Sequence, residues 1–231
     1  MFDVVVNDRS TNALGLSATS YPLIPAPEKK YISSTVLDRD GALYRDMGTY
    51  EDIELSIPFN FYTLTRQWGT YLRDFQSLIQ EAKELMFSDD QQVFWKVKKA
   101  RMTEIERVTP QIGRVKAEFT LDPHTYVVAG KWHYQDLSEV EYNLYAECCP
   151  IYLVSGNGSG ILTVNGHQVS FIASGFLYLD TDKEIAYDRE NRNRNASISG
   201  QYKGLRLQPG QNSISVSDGF SLAVIPNWRV L

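Results

Sequence analysis

The chain has 231 residues, of which 43% are apolar and 22% charged, and its formal net charge is −5. This length can bury one large core or two small ones, and the composition excludes collagen-like, coiled-coil and disordered proteins, whose biases are far stronger. An acidic chain without a concentrated basic face is also a poor candidate for nucleic-acid binding, because neutralising phosphates requires clustered Lys and Arg.

The N-terminal region begins with a predicted strand over residues 2–7. An extended, projecting segment follows, which Pro22, Pro25 and Pro27 stiffen because proline restricts φ and removes a backbone donor. The sequence Asp-Arg-Asp-Gly at residues 38–41 predicts a turn, since Asp bonds its own backbone and Gly tolerates positive φ. A proline-rich segment of this kind has few residues of its own to pack against.

A half-buried strand is predicted from residue 53 to residue 59, where apolar residues alternate with polar ones and Pro58 and Asn60 end the pattern. An amphipathic helix is then predicted over about residues 64–87, because apolar residues recur at steps of three and four. They are Leu64, Trp68, Leu72, Phe75, Ile79, Ala82 and Met86. This is the only convincing helix in the sequence, so we expect its apolar stripe to form core against a sheet.

A projecting β-hairpin is predicted over about residues 92–121, where two alternating, β-prone segments are separated by Thr109 and Pro110. It carries the densest basic region of the chain. A solvated hairpin face explains these charges, and an electrostatic surface between subunits of an oligomer is the functional alternative. The candidate oligomer contacts are Lys96, Lys98, Arg101, Arg107 and Arg114.

The character of the chain changes near residue 135, after which short strands alternate with Gly, Asn and Asp. This spacing is typical of a β-sandwich, and it predicts two domains, residues 1–135 and 136–231. Asn165-Gly166 between two apolar segments is a strong hairpin signal. The glycines at 156, 158 and 160 predict a tight β-turn, because neither a Lys-Ser or Lys-Thr pair nor a helix follows them as in a phosphate-binding loop.

The sequence contains no recognisable catalytic, cofactor or metal motif, so it does not suggest an enzyme. His124, His133 and His167 lack metal-type spacing, and Asp180, Asp182 and Glu184 lack the rest of a calcium loop. The vicinal cysteines, Cys148 and Cys149, are expected to be reduced thiols of a protein made in a reducing cytoplasm. Neither a signal peptide nor the roughly 20 apolar residues of a membrane span is present, so we expect a soluble protein.

The order of short sequence motifs resembles that of siphophage distal tail proteins over nearly the whole chain. The N-terminal motifs are Asn7-Asp8, Leu14-Gly15-Leu16 and Asp38-Arg39-Asp40-Gly41-Ala42-Leu43. The C-terminal motifs are more specific: Pro150-Ile151-Tyr152-Leu153-Val154, Leu162-Thr163-Val164-Asn165-Gly166, Leu207-Gln208-Pro209-Gly210-Gln211-Asn212 and Ile225-Pro226-Asn227-Trp228-Arg229. Asp38 departs from the glycine that often begins the family's turn. The short length leaves no room for the carbohydrate-binding insertions of some members.

The resemblance implies a mainly β protein with one amphipathic helix. Its N-terminal β-sandwich domain would form a hexameric ring, and its C-terminal domain would be a galectin-like β-sandwich whose last strand can return to the N-terminal domain. It implies a structural hub in the virion, at the tip of a long non-contractile tail and assembled in the bacterial cytoplasm. The implied partners are the tail tube protein, the tape-measure protein, a tail-associated fibre or lysin protein and receptor-binding proteins, with DNA passing through the ring.

A carbohydrate-binding module that contributes to host adhesion is the alternative function, because galectin-like sandwiches hold sugars with stacked aromatics and polar side chains. The main candidates for sugar contacts are Trp132, Tyr178 and Trp228, and His133, Tyr187 and Arg229 are further ones. Core or interdomain packing explains the same aromatics. A hydrolase acting on cell wall has the least support in the sequence.

Overall fold

The computed structural model describes residues 2–64, 67–131 and 133–231 of the chain. The chain divides into two compact units, one ending at Thr125 and including Leu231, the other spanning Tyr126–Val230. Each unit is built from antiparallel strands around its own apolar core. The predicted mainly β class, with an amphipathic helix in the first unit, is confirmed.

The first unit has a curled sheet in the strand order β2-β1-β7-β8-β9-β6-β3 and a separate two-stranded hairpin formed by β4 and β5. The elements are Val4–Val6 (β1), Arg9–Ser10 (β2), Leu16–Ala18 (β3), Lys29–Thr35 (β4), Ala42–Tyr50 (β5), Ile53–Tyr62 (β6), Trp68–Gln80 (α1), Glu84–Phe87 (β7), Asp90–Arg107 (β8) and Ile112–Val127 (β9). The predicted hairpin is therefore formed by β8 and β9.

The core of this unit lies between α1 and the sheet. Strand β6 alternates buried and exposed residues along its whole length and pairs with β9 from Ile53↔Leu121 to Tyr62↔Ile112. The helix contributes Phe75, Leu78 and Ile79, which are all buried. Burying each such side chain stabilises the fold by about 1.5–3 kcal/mol. The buried face of β6 and the buried side of α1 therefore contribute much of the stability of this unit.

Strand β6 does not end at Pro58, as its sequence suggested. Pro58 lies opposite Lys116 in the ladder, and its carbonyl oxygen accepts the Thr19 N–H at 2.9 Å. Proline removes one ladder donor, but the strand has partners on both sides, β9 and β3. The remaining pairs hold it in the sheet.

The predicted helix over residues 64–87 is wrong at its C-terminal end, since α1 ends at Gln80 and β7 follows. Asn7 explains the change of direction: its Oδ1 accepts the N–H groups of Lys83 at 2.8 Å and Glu84 at 3.2 Å. Strand β7 then pairs with β1 and β8, which satisfies its backbone better than a further helical turn. Residues 65–66, in the predicted first turn, lie outside the described residues.

The second unit has a six-stranded sheet in the order β13-β12-β11-β16, with β14 added to β12 and β17 added to β11, and a two-stranded sheet of β10 and β15. Its elements are Leu137–Val140 (α2), Tyr142–Asn143 (β10), Ile151–Val164 (β11), His167–Asp180 (β12), Ile185–Asp188 (β13), Ile198–Ser199 (β14), Gly210–Gln211 (β15), Ile214–Val216 (β16), Ser221–Ile225 (β17) and Arg229–Val230 (β18).

The long hairpin of β11 and β12 is closed by Asn165 and Gly166, whose φ angles of 49° and 81° confirm the predicted turn. The tight turn predicted at residues 156–160 is wrong, because β11 runs through these glycines. A Cβ on Gly156 would lie 2.4 Å from the Phe220 ring, and one on Gly160 would lie 2.6 Å from Phe171. The glycines therefore allow aromatic rings to pack directly on the strand.

The second unit begins earlier than the boundary predicted at residue 136. Val127 N–H donates to Trp228 O at 2.9 Å, and Gln135 N–H donates to Val224 O at 2.7 Å. These bonds tie the start of the unit to the end of the chain. No described helix combines the length and apolarity that crossing a membrane requires.

Candidate interaction surfaces

The β8–β9 hairpin has an inner face that packs into the core and an outer face that is polar. In β9, residues such as Ala117 and Phe119 are buried, so by the two-residue period of a strand Lys116 and Glu118 point the other way. Strand β8 brings Arg101 and Glu104 alongside them. Charges of both signs therefore alternate on this face.

These charges pair within the chain. Arg101 lies 2.7 Å from Glu118, Lys116 lies 3.0 Å from Glu104, and Lys98 lies 2.6 Å from Asp52. Such exposed pairs typically contribute about 0–1 kcal/mol, so they neutralise the face more than they stabilise it. The basic region found in the sequence is a mixed charge network in the structure.

The structure places all five predicted basic contacts on this hairpin but does not gather them into one positive patch. Lys98 and Arg101 have the carboxylate partners given above, and Arg114 lies 3.7 Å from Glu106. Arg107 lies over the Trp68 ring, 4.7 Å from its centroid, and donates to the Pro110 carbonyl at 2.9 Å. Lys96 lies opposite Glu84 in the register of β7 and β8.

Asp122 is the most shielded carboxylate of this network. Burial alone would raise its pKa, but hydrogen bonds from the His124 side chain and N–H, together with the charge of Lys98, lower the pKa to about 2. Lys98 Nζ lies 3.6 Å from Asp122 Oδ2 and also contacts Asp52. This group is ionised throughout the neutral range and links the base of β9 to β8.

The β4–β5 hairpin, which we call the arm, exposes many apolar side chains. Its turn has Asp38 at φ 61° and Gly41 at φ 76°, which confirms the predicted turn at residues 38–41. Leu37 is 91% exposed and Tyr44 72%. The other exposed apolar residues of the arm are Tyr31, Ile32, Val36, Leu43 and Met47.

Little within the described chain stabilises the arm. Lys29 pairs with Asp46 at 2.8 Å, and the Tyr31 and Tyr44 rings meet edge to face at 6.5 Å. A two-stranded hairpin without a covering layer is marginal in water. In the sequence, the hairpin is indicated by two β-prone segments on either side of the turn at residues 38–41. The exposure of their side chains cannot be inferred from the sequence.

Of the main predicted sugar contacts, the two that the structure describes, Tyr178 and Trp228, do not form a shared platform. The prediction of Trp228 as a sugar contact is wrong. Trp228 is only 7% exposed and packs on Gly130 and the Tyr145 ring, so its face cannot stack on a sugar. Tyr178 stacks on Tyr187 with an interplanar angle of 4° and a centroid distance of 5.1 Å, which occupies one face of each ring. Trp132 lies outside the described residues.

Two further features carry no site. Asp180 Oδ1 accepts the N–H groups of Asp182 and Lys183 at 3.0 Å each, and its Oδ2 lies 3.0 Å from Lys183 Nζ, so this carboxylate caps a turn. Cys148 and Cys149 are buried, and burial raises the pKa of Cys148 to about 12 and also raises that of Cys149, which disfavours the reactive thiolate form. Among the described residues no group of three or more metal-ligating side chains comes together.

Comparisons with known proteins identify the fold. No family model matches the sequence, and no curated protein matches it either. A solved structure does match: the Dit (gp 19.1) protein of phage SPP1, described as a paradigm of the hub adsorption apparatus of phages that infect Gram-positive bacteria. The TM-score is 0.67 with 11% sequence identity, over 100% of both chains. The similarity to a siphophage distal tail protein that the sequence motifs suggest is confirmed for the fold.

Proposed function

We propose that this chain is a structural, non-enzymatic hub protein at the tip of a long non-contractile phage tail. Six copies form a ring that joins the tail tube to the tail-tip and receptor-binding proteins and lets DNA pass. The observation that carries this proposal is the fold similarity to a hub adsorption protein over the full length of both chains.

The uncovered apolar surfaces of the first unit support an oligomer. A closed ring uses head-to-tail contacts, so each copy must present two different complementary surfaces. The arm is one such surface. The second is at the turn end of the β8–β9 hairpin, where Tyr62 lies opposite Ile112 and both are exposed, together with Ile105 and Val108. In the ring, the arm of one copy covers this end of the next.

The basic side chains of the hairpin supply the electrostatic part of the proposed contact. Lys98, Arg101 and Arg114 already have carboxylate partners in the same chain, so a neighbouring copy has to extend this network rather than neutralise an open patch. The net charge of −5 suits a conduit, because an acidic wall repels phosphate and prevents DNA from adhering. A ring whose channel is lined by Lys and Arg would contradict this role.

The ring is tested with the full chain by size-exclusion chromatography, light scattering and negative-stain microscopy. We expect a mass six times the 26.3 kDa of one chain and ring-shaped particles. A double variant, Leu37→Asp with Tyr44→Asp, should leave a folded monomer because it places charges in the covered arm. The matched control is Leu144→Asp, at a residue 76% exposed in the second unit, which should keep the ring.

The basic residues are tested separately. Exchanging Lys96, Lys98, Arg101, Arg107 and Arg114 for Glu should also leave a folded monomer if these side chains form part of the ring contact. A ring that persists through this exchange removes them from the interface while leaving the arm contact intact. A native chain that stays monomeric at all concentrations would overturn the ring itself.

A further inference from the structure

One edge of the second unit's sheet is interrupted. Strand β13 pairs with Leu177–Asp180 of β12, and β14 pairs with Ser170 and Phe171 of the same strand. Between them, residues 172–176 pair with β11 on one side and have no strand on the other among the described residues. At up to about 3.4 Å per residue, this open edge is at most about 17 Å long, and Gly175, at φ 86°, departs from extended geometry near its end.

The chain between β13 and β14 passes around the open edge instead of pairing with it. It leaves a cavity of about 350 Å³, which six consecutive residues of β12, from Ile172 to Leu177, line on one side. Residues of the passing chain, from Asp188 to Ser197, line the other side. The backbone edge of β12 therefore lies along a cavity and is not covered by another strand of the described chain.

An apolar trough continues this cavity. It encloses about 520 Å³ and shares Ile172 and Ser197 with the cavity at the open edge. Its floor carries Ile161, Ile172 and Ile198, and serine hydroxyls surround them. Ile172 is 60% exposed, so its aliphatic side chain is available for contact with a bound segment.

The opposite end of the cavity is cationic. Arg192 and Arg194 donate to Asp188 Oδ2 at 2.8 and 3.0 Å, and Arg192 also lies 2.9 Å from Glu190. Arg189 lies over the Phe176 ring, 5.6 Å from its centroid, and has no carboxylate partner among the described residues. Three guanidinium groups face two carboxylates, so this end keeps a positive charge in a chain that is acidic overall.

We propose that this groove binds an extended, acidic segment of a partner protein, which pairs with the open edge of β12. The segment's backbone would add a strand between β13 and β14, an aliphatic side chain would enter the trough, and a carboxylate would bind Arg189. An open strand edge offers backbone donors and acceptors at the spacing of an extended polypeptide, and side-chain pockets beside such an edge provide specificity. The complementary charge selects an acidic segment.

The test uses the full chain as bait for a display library of random dodecapeptides. We expect enriched sequences in which an aliphatic residue and an acidic residue are a few positions apart, and a bound peptide should slow amide exchange at residues 172–176. Arg189→Glu should weaken binding of an enriched peptide by about tenfold or more, and exchanging the peptide's acidic residue for Lys should restore it. Arg73→Glu, on an exposed position of α1, is the matched control and should change nothing.

A second variant tests the trough. Ile172→Lys should abolish binding without affecting folding, because the side chain is largely exposed, and thermal unfolding checks the fold. Peptides that bind both variants as tightly as the native chain, or that slow exchange elsewhere, would overturn the proposal. So would a library without enrichment, or self-association lost on Arg189→Glu, which would make a second copy the occupant. Ring formation by Arg189→Glu, followed by light scattering, keeps this test separate from that of the hub.

Discussion

The two hairpins of the first unit, β8–β9 and the arm, both consist of two antiparallel strands joined by a turn, but they have opposite environments. In β9 every second residue from Val115 to Leu121 is buried, and the intervening charges pair with β8. In the arm no described residue of either strand is buried. A hairpin becomes part of a core only where a third element covers one of its faces, and α1 and the rest of the sheet do so for β8–β9 alone.

This contrast separates what a single copy stabilises from what it leaves for contacts with other molecules. The apolar side chains of β9 contribute to folding because they leave water within the monomer. Those of the arm contribute only when another surface covers them. The arm is therefore expected to influence assembly without influencing the stability of the folded monomer.

Hydrogen exchange should show the largest difference. In the monomer, we expect arm amides to exchange through local opening at almost no free-energy cost, while amides of β6 and β9 require global unfolding, about 5–15 kcal/mol. Ring assembly should slow the arm amides and leave those of β6 and β9 unchanged. Equal protection of both hairpins in the monomer would show that the arm is covered within one chain.

Phe119→Ala should lower the free energy of unfolding by about 3–5 kcal/mol, because Phe119 is fully buried in β9 opposite Leu55 and the substitution leaves a cavity. Leu37→Ala in the arm is the matched control, and its effect should stay within about 0.5 kcal/mol. Urea denaturation of the monomer measures both. A comparable loss for Leu37→Ala would contradict the uncovered state of the arm.

Gly113→Ala should lower the free energy of unfolding by about 1–3 kcal/mol through overpacking. A Cβ on Gly113 would lie 2.3 Å from the Phe61 ring and 2.4 Å from the Trp68 ring, where α1 packs on β9. Gly69→Ala is the control within α1: its Cβ would meet only the Arg73 guanidinium, at 3.5 Å, and helix propensity should stabilise it by about 0.5–1 kcal/mol. Thermal or urea unfolding shows whether each variant has a lower or a higher free energy of unfolding than the native chain.

Asp122→Asn should lower stability at pH 7 by about 1 kcal/mol, after allowance for solvent screening of this partly exposed group. The pKa of Asp122 is lowered from 3.8 to about 2 in the folded chain. The stabilisation from the carboxylate is therefore complete above about pH 4 and is lost as the pH falls through 2. Urea midpoints measured between pH 2 and pH 7 check this: the fall in stability of the native chain as the pH drops from 4 to 2 should be smaller in Asp122→Asn. Asp74→Asn, on the exposed face of α1, is the control and should show the same fall as the native chain.

Much of the fold follows from sequence patterns that depend on neighbouring residues. The alternation from Ile53 to Phe59 predicts β6, and the Asn165-Gly166 turn predicts the β11–β12 hairpin. Residues 84–87 show why other parts did not follow: Leu85 and Phe87 fit a strand, while Ala82 and Met86 fit a helix. Both periods are satisfied over so short a segment, and pairing with β1 and β8 selects the strand.

The candidate surfaces were less accessible to sequence reasoning. The basic residues of the hairpin are visible in the sequence, but the pairing of Arg101 with Glu118 depends on the register of β8 and β9. The glycines of β11 resemble a turn until β12 pairs with them along the whole strand. The groove at residues 172–176 exists because β13 and β14 pair with two separated parts of the same strand edge.

The sequence by itself determined the mainly β class, the amphipathic helix, the turns at residues 38–41 and 165–166, and the resemblance to distal tail proteins. These depend on periodicity and on backbone preferences of single residues. Only the tertiary structure decided where α1 ends, which charges are neutralised, that the arm is uncovered and that β12 keeps an open edge. Each of these depends on which distant segment lies alongside, because burial and pairing are properties of contacts between segments.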